Sequence, residues 1–426
     1  MTVLIVGGGG REHAIAMRIA ENPDVTKIYA APGNGGLAEL AELVPLAATD
    51  VPGIVRFARE HGVDYAVVAQ DDPLCLGMVD ALAAAGIPAF GPLKRAALIE
   101  GSKIFAKNLM KKYGIPTARY ETFDDFDAAL RYAESAPSFP IVVKADGLAL
   151  GKGVTICETP EEARAALTGM MREDRFGASG RRVVIEEYLT GPEVSVLCFT
   201  DGTTLIPMAS SMDHKRAWDG DLGPNTGGMG TVAPNPYYTE EVADRAMREI
   251  FLPTMRAMNA EGREFRGCLY FGLMITADGP KVIEYNCRFG DPETQVVLPL
   301  LEGDLLSIMR AVTDGRLSEA EVRIRKGAAC CVVLASGGYP LHYEKGYPIE
   351  GIEEAERGAL VFHAGTKRQG DRLVTAGGRV LGVTATADTL KEAVQKAYRA
   401  AEKIRFTDCC MRHDIGRRAL AAEEGA

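Results

Sequence analysis

Residues 281–293 read Lys281-Val282-Ile283-Glu284-Tyr285-Asn286-Cys287-Arg288-Phe289-Gly290-Asp291-Pro292-Glu293. The first six form a strand, because β-branched and aromatic residues favour extended backbone. Successive side chains then point to opposite faces, so Glu284 and Asn286 share one face while Ile283 and Tyr285 take the other. A carboxylate beside an amide oxygen, directly before a loop, suits a divalent cation such as Mg²⁺. Such an ion takes one or two protein oxygens together with phosphates and water. An edge strand with a polar face has the same pattern, so these two residues alone do not decide between the readings.

Upstream, two glycine-rich segments invite a phosphate. Asp146-Gly147-Leu148-Ala149-Leu150-Gly151-Lys152-Gly153 lies between apolar strands at 140–145 and 154–157. It is one residue short of the spacing of a Walker loop. A hairpin flap closing over phosphates fits instead, with Lys144 and Lys152 supplying charge. Gly7-Gly8-Gly9-Gly10-Arg11-Glu12 follows a strand at 3–6 and opens a helix near Arg11, where backbone N–H groups favour anions. It fails the dinucleotide fingerprint, since Glu12 or His13 falls at the last glycine position. No acid follows the second strand, near Ala30, to hold a ribose hydroxyl. A nicotinamide oxidoreductase is therefore disfavoured.

Residues 1–100 alternate strands (3–6, 27–30, 64–69, 87–90) with helices, which implies a parallel α/β sheet. Asp50 caps one of these helices, with Pro52 near its start. A helix at 102–113 ends at Gly114. Strands follow at 182–187, 193–200 and 204–209, and Thr159-Pro160-Glu161-Glu162 is a capping box. Residues 210–236 read as a long polar loop, of a length that is usually functional. One helix at 240–259 leads to strands at 268–275 and 281–286. A third unit has strands at 328–335, 360–364 and 380–386, with Gly377-Gly378 as a hairpin turn. Its helix opens at Thr389, and Leu390, Ala393, Val394, Ala397, Ala401 and Ile404 form one face.

The chain has 426 residues, a net charge of −10 and 47% hydrophobic residues. That length implies two to four domains, and the acidic balance argues against nucleic-acid binding. Nine cysteines without a C-x-x-C spacing read as free, buried thiols. No signal-peptide pattern and no apolar run of about 18 residues occurs, so a cytoplasmic protein without membrane contact is expected.

Together, the lysine-flanked hairpin, Val184-Ile185-Glu186-Glu187-Tyr188-Leu189 with Gly191-x-Glu193-x-Ser195, the Glu-x-Asn strand and the flanking α/β segments resemble the ATP-grasp family. The likeness is closest to its phosphoribosylamine–glycine ligase branch. It rests on Arg288–Gln295, Gly10-Arg11-Glu12-His13-Ala14, Ala31-Pro32-Gly33-Asn34 and Asp213-His214-Lys215-Arg216. Gly223–Gly230, Val361-Phe362-His363-Ala364-Gly365-Thr366 and Gly377-Gly378-Arg379-Val380-Leu381 add to it. One departure is Ala69-Gln70-Asp71, where that family commonly reads Gly-Pro-Glu.

The resemblance implies an α/β and α+β multidomain chain. A Rossmann-like parallel domain (1–101) would precede an ATP-grasp domain (102–322, flap at about 120–190), followed by a small α+β domain (323–426). It implies a ligase that joins glycine to 5-phosphoribosylamine through glycyl phosphate, using ATP and Mg²⁺ or Mn²⁺. Another ATP-grasp carboxylate–amine ligase or carboxylase is the alternative. Glu284 and Asn286 would hold the metal. Lys103 and Lys144 would contact phosphates beneath a flap of Gly147, Gly151, Lys152 and Gly153. Glu186, Glu187, Tyr188 and Leu189 would edge the adenine, mostly through backbone, and Glu193 would take the ribose hydroxyls. Arg288 would orient glycine's carboxylate and Asp213 its ammonium, making these two the catalytic pair. Gly9, Gly10 and Arg11 would meet the substrate phosphate, and Asp71 its amine. His13, His214 and His363 read as packed or solvated side chains rather than bases. The expected protein is a monomer that meets the phosphoribosylamine-producing enzyme transiently.

Overall fold

The computed structural model describes residues 1–148, 153–173 and 175–425. Its N-terminal sheet is parallel, in the order β3-β2-β1-β4-β5, built from β1 (Thr2–Gly7), β2 (Lys27–Pro32), β3 (Glu42–Leu43), β4 (Tyr65–Val68) and β5 (Ala89–Phe90). Helices α1 (Gly10–Ala20), α2 (Val51–Glu60), α3 (Asp71–Leu76), α4 (Met78–Ala84) and α5 (Lys94–Gly101) connect and cover it. Both faces are buried: Val3 and Ile5 enter one apolar cluster, Leu4 and Val6 another, which is why β1 reads as a continuous apolar run. Strand order reverses between β1 and β4, so Gly7–Arg11 and Asp71 meet at one crevice at the carboxyl ends of adjacent strands. Asp50 caps α2 as expected, accepting from Gly53 N–H at 3.0 Å. The short helices α3 and α5 carry too few turns to show apolar periodicity in the sequence.

Helix α6 (Lys103–Tyr113) starts at the Ser102 cap and ends at left-handed Gly114. Next comes an antiparallel sheet β6-β9-β7-β8, formed by β6 (Tyr120–Phe123), β7 (Ile141–Ala145), β8 (Val154–Cys157) and β9 (Val183–Glu187). Helices α7 (Phe126–Glu134) and α8 (Pro160–Met171) pack on it through Ala129, Ala133, Ala163 and Leu167, all 0–9% exposed with Leu130. The β7–β8 hairpin is the expected flap; Gly151 and Lys152 lie outside the described residues.

A second antiparallel sheet, β11-β10-β16-β17, comprises β10 (Glu193–Thr200), β11 (Leu205–Pro207), β16 (Gly267–Thr276) and β17 (Gly279–Asn286). The alternation expected along β17 is interrupted. Gly272 pairs with Glu284 and Leu273 with Val282, leaving Ile283 as a bulge. Val282 and Tyr285, three residues apart, are therefore both buried, while Ile283, Glu284 and Asn286 are only partly covered. The bulge turns Glu284 and Asn286 away from the core that Val282 occupies.

Residues 210–236 are not a loop. They contain β12 (Met212–Asp213), the hairpin β13 (Arg216–Trp218) and β14 (Leu222–Asn225), and β15 (Gly230–Ala233). The expected single helix is α9 (Glu240–Ala246), a π turn at Met247–Phe251, and α10 (Leu252–Ala260). The wide turn precedes Pro253, which cannot donate an N–H to a regular ladder.

Helix α11 (Thr294–Leu300) follows the quoted loop, then β18 (Leu301–Glu302), α12 (Leu305–Asp314) and β19 (Arg323–Ile324). The C-terminal sheet runs β12-β15-β20-β24-β21, with β20 (Ala328–Ser336), β21 (Leu360–His363) and β24 (Arg379–Ala387). Strands β12 and β15 thus extend a sheet that begins about a hundred residues later, a non-local pairing the loop reading had no means to see. Helix α13 (Ile352–Glu356) flanks β21. Strands β22 (Thr366–Gln369) and β23 (Arg372–Thr375) form their own hairpin. Gly377-Gly378 is therefore a crossover and not a hairpin turn; it passes Gly365, whose added Cβ would lie 2.6 Å from Gly377 Cα. Helix α14 (Leu390–Ala401) packs with the expected apolar face, and β25 (Cys409–Cys410) and α15 (Arg417–Glu424) close the chain. All nine cysteines are free, and burial raises the Cys331 and Cys409 thiols to about 12. No helix among the described residues is long and apolar enough to cross a membrane.

Candidate active site

The open end of β17 gathers positive charge. Lys215 Nζ lies 3.8 Å from Glu284 and 3.0 Å from Glu193. Burial alone would raise the Glu284 carboxyl, but Lys215, Lys144, Lys103 and Arg288 together hold it below its ordinary range. Lys144 donates to the carbonyl of Ile283 at 3.3 Å, a group the bulge leaves outside the ladder. Lys103 donates to Gly147 O at 2.8 Å, at the root of the flap; burial pushes its ammonium below the usual range. Asp146 ties that root to α6, accepting from Ser102 Oγ and Ile104 N–H at 2.8 and 3.0 Å. Gly153 O accepts from Ala145 N–H at 2.8 Å on the other side of the hairpin.

Glu186 is buried between two lysines, Lys144 at 3.0 Å and Lys107 at 3.1 Å. Burial lowers Lys107 to about 8, against the pull of Glu186. Glu186 is paired on both sides within its sheet; Glu187 pairs with Ile141 on one side, and its N–H donates to Arg119 O at 3.0 Å on the other. Glu187 also holds Arg119 at 2.7 Å. Tyr188 and Leu189 have left the sheet, and Tyr188 is exposed, so free backbone at this edge begins there.

Arg288 is held on the protein side. Its Nη2 donates to Glu100 Oε1 and to Asn286 Oδ1, each at 3.0 Å, and Asp71 Oδ2 lies 3.9 Å away. Its Nε is buried with no partner. Asp71 is held below its ordinary range: burial opposes this, and Arg288 and Arg11 outweigh it. Asp213, on β12, shows the opposite behaviour. Burial and the nearby Glu293 push its carboxyl well up, although Lys215 and Arg379 face it.

The glycine loop is engaged internally. Gly9 N–H donates to Glu12 Oε2 at 2.5 Å, and Arg11 N–H to Asp291 Oδ2 at 3.4 Å. Arg11 also donates to Glu12 Oε1 at 2.8 Å and Phe289 O at 3.0 Å. A Cβ on Gly10 would sit 2.4 Å from Gln295 Nε2. The loop thus joins Asp71 and Arg288 at one crevice but keeps fewer N–H groups open than its glycines suggested. Asp291 links three segments, since Arg379 reaches it at 3.5 Å and donates to Gly227 O at 2.6 Å.

The structure therefore brings Lys103, Lys144, Asp213, Glu193, Glu284, Asn286, Arg288, Asp71 and Arg11 to one cleft, with Tyr188 and Leu189 at the flap sheet's edge. A cavity of about 650 Å³ lined by Met17, Arg18, Leu298 and Phe362 contains none of them. The sequence reading assigned no role to Glu100, Lys107, Lys215 and Arg379. Lys215 and Arg379 sit in motifs already quoted; Glu100 and Lys107 carry no local signal. The three motif histidines are buried neutral groups. His13 accepts from His363 N–H at 2.8 Å and burial lowers it to about 3; burial lowers His214 and His363 to about 4.

Two sheets facing a lysine-lined cleft, one of them carrying a flap, define the ATP-grasp class. Family models for phosphoribosylglycinamide synthetase match in order: the N domain at residues 1–100, the ATP-grasp (A) domain at 101–294 and the C domain at 329–418. A phosphoribosylamine–glycine ligase of Halalkalibacterium halodurans is 51% identical over 99% of this chain and 98% of its own. That of Vibrio cholerae is 49% identical over the full length of both. The crystal structure of phosphoribosylamine–glycine ligase from Thermotoga maritima superposes with a TM-score of 0.86 at 35% identity, covering 97% of this chain and 100% of that one. A biotin carboxylase domain from Hydrogenobacter thermophilus shares the fold, with a TM-score of 0.74 at 18% identity, 96% of this chain and 91% of that one. The chain belongs to the phosphoribosylglycinamide synthetase family.

Proposed function

We infer that this chain is an ATP-dependent ligase that joins glycine to 5-phosphoribosylamine, giving glycinamide ribonucleotide, ADP and phosphate in the second step of de novo purine biosynthesis. The observation that carries this reading is the convergence of four cations, Lys103, Lys144, Lys215 and Arg288, on one carboxylate, Glu284, at the cleft. Three of them also have carboxylate partners of their own, Glu186, Glu193 and Glu100, while Lys103 is bonded to the Gly147 carbonyl; cations gathered at one cleft suit a polyphosphate. Full-length similarity to phosphoribosylamine–glycine ligases supports the choice of substrates.

A carboxylate resists nucleophiles because it is charged and oxide is a poor leaving group. Transfer of the terminal phosphoryl of ATP to glycine makes glycyl phosphate. The amine then attacks its carbonyl, the C–O bond to phosphate breaks, and the amine proton leaves with phosphate. Such chemistry needs positioning and charge neutralisation more than a covalent nucleophile.

The donors fit Mg²⁺ or Mn²⁺. Glu284 is a third exposed in the cleft and Asn286 keeps an acceptor lone pair beyond its bond to Arg288. No group of three or more His, Cys, Asp or Glu that could hold an ion occurs among the described residues; an ion at Glu284 and Asn286 would complete its shell with phosphates and water. When bound there, the ion neutralises phosphate charge. Lys103 and Lys144 grip phosphates under the Gly147–Gly153 hairpin. Tyr188 and Leu189, at the end of the Glu186-Glu187 strand, offer backbone to adenine, and Glu193 meets the ribose. Arg288 meets glycine's carboxylate through its guanidinium. Asp213, pushed toward protonation on its own, gains its charge back beside glycine's ammonium. Gly9, Gly10, Arg11 and Asp71 line the crevice for phosphoribosylamine.

The same reading divides the chain at 101/102 and 322/323, and places a monomer in the cytoplasm. The test is phosphate release with glycine and freshly generated phosphoribosylamine, each omitted in turn. Release that persists at the full rate without glycine would point to a different acid substrate.

A further inference from the structure

One buried charge has no part in the chemistry above. Glu100 ends α5 and is 8% exposed. Its two oxygens have different partners: Oε1 accepts from Arg288 Nη2 at 3.0 Å, and Oε2 accepts from Cys287 N–H at 2.7 Å. These bonds hold the guanidinium of Arg288 and the Asn286–Cys287 peptide of the strand end that carries it. Since Arg288 Nη2 also reaches Asn286 and Nη1 donates to Phe289 O at 3.3 Å, Nε is the guanidinium nitrogen left buried and unpartnered. What Arg288 can offer a ligand is thus set by what Glu100 holds.

The residues after Glu100 extend the argument. Ser102 donates to Asp146 and Lys103 to Gly147 O, both at the flap root. Residues 100–103 therefore hold Arg288 at one end and the flap root at the other. A buried carboxylate is a poor stabilising device compared with an apolar side chain of the same volume. Its placement here makes sense as orientation of a planar donor, where an error of about 1 Å costs heavily.

We propose that Glu100 is the positioning residue for glycine, holding the Arg288 guanidinium in the orientation that meets the substrate carboxylate. This rests on the reading of Arg288 as the glycine reader and adds the group that aims it.

The experiment compares full-length Glu100→Gln, Glu100→Asp and Arg288→Lys, with phosphate release measured against glycine and ATP separately. Glu100→Gln keeps the size and an acceptor but loses the charge. It should raise the glycine KM about tenfold, the loss of one well-placed contact, with the ATP KM within about twofold and an unchanged melting temperature. Glu100→Asp, which keeps the charge, should recover part of the glycine KM. An unchanged glycine KM in Glu100→Gln overturns the proposal. So does a parallel rise of both KM values with a fall in kcat and melting temperature in Glu100→Gln and Glu100→Asp, which marks a structural role only. If Arg288→Lys leaves the glycine KM untouched, the parent reading fails. If it raises that KM and Glu100→Gln does not, only the role of Glu100 fails.

Discussion

The glycine loop at α1 and the end of β17 lie at the same crevice; the first looked like a phosphate site and the second like a metal clamp. At the loop, Gly9 N–H and Arg11 N–H are taken by Glu12 and Asp291. At β17, Lys215, Lys144, Lys103 and Arg288 converge on one carboxylate and Arg288 Nε has no partner. At the first, a wall, the polar groups are satisfied by neighbouring protein groups; at the second, four cations converge on one partly exposed carboxylate. Glycine density reports close packing as readily as phosphate binding, whereas cations converging at an open cleft point to an anionic ligand.

The sharpest way to break this contrast is Glu284→Ala. We expect a loss of about 10³-fold in kcat/KM for phosphate release, the scale of removing one charged contact from a reacting group. An unchanged circular dichroism spectrum would show the fold intact, and retained activity would remove β17 from the chemistry. Next comes Arg288→Lys, which keeps the charge and loses the planar fork. About a 10²-fold drop in kcat/KM for glycine is expected, and initial rates at varied glycine measure it.

At the wall the effects should fall on stability. A Cβ at Gly8 would meet the Gly33 carbonyl at 2.3 Å, which is backbone and cannot swing away. Gly8→Ala should cost about 2 kcal/mol. Gly10→Ala should cost about half that, because Gln295 can move. Urea unfolding separates them, and equal costs would mean the loop is looser than its contacts imply.

The last effect is acid sensitivity, which reads on stability alone. His13 is lowered to about 3, and His214 and His363 to about 4, by burial. The unfolded chain binds protons near pH 6.5 where the folded chain does not. Their contribution is therefore complete above about pH 6.5 and is lost as pH falls toward 4, by up to roughly 1.4 kcal/mol per pH unit for each histidine. His13→Gln should flatten the slope of unfolding free energy between pH 7 and 5; an unaltered slope would show that His13 is not among its causes.

What was legible in the sequence follows from the range of the interactions. Caps and alternation are local, so Asp50, Thr159, Thr389 and most strands could be read directly. The pairing of β12 and β15 with β20 is not local, and a Gly- and Pro-rich segment gives no hint of a partner a hundred residues away. The same holds at the site. Glu284 and Asn286 are neighbours on a strand and could be read as a pair. Glu100 reaches Arg288 across 188 positions, and Lys107 meets Glu186 only after the flap sheet folds, so neither had a pattern to betray it.

The bulge at Ile283 has a consequence best put as parity. Side chains on a strand count odd and even, and β17 changes its count once. Absorbing Ile283 into the ladder by a slip of register would turn Glu284 and Asn286 toward the core and Tyr285 toward the cleft. Deleting Ile283 would instead keep that parity and remove only the carbonyl that Lys144 grips. A one-residue deletion should thus be gentler on this strand than a one-residue slip, since the site depends on the count and not on the length.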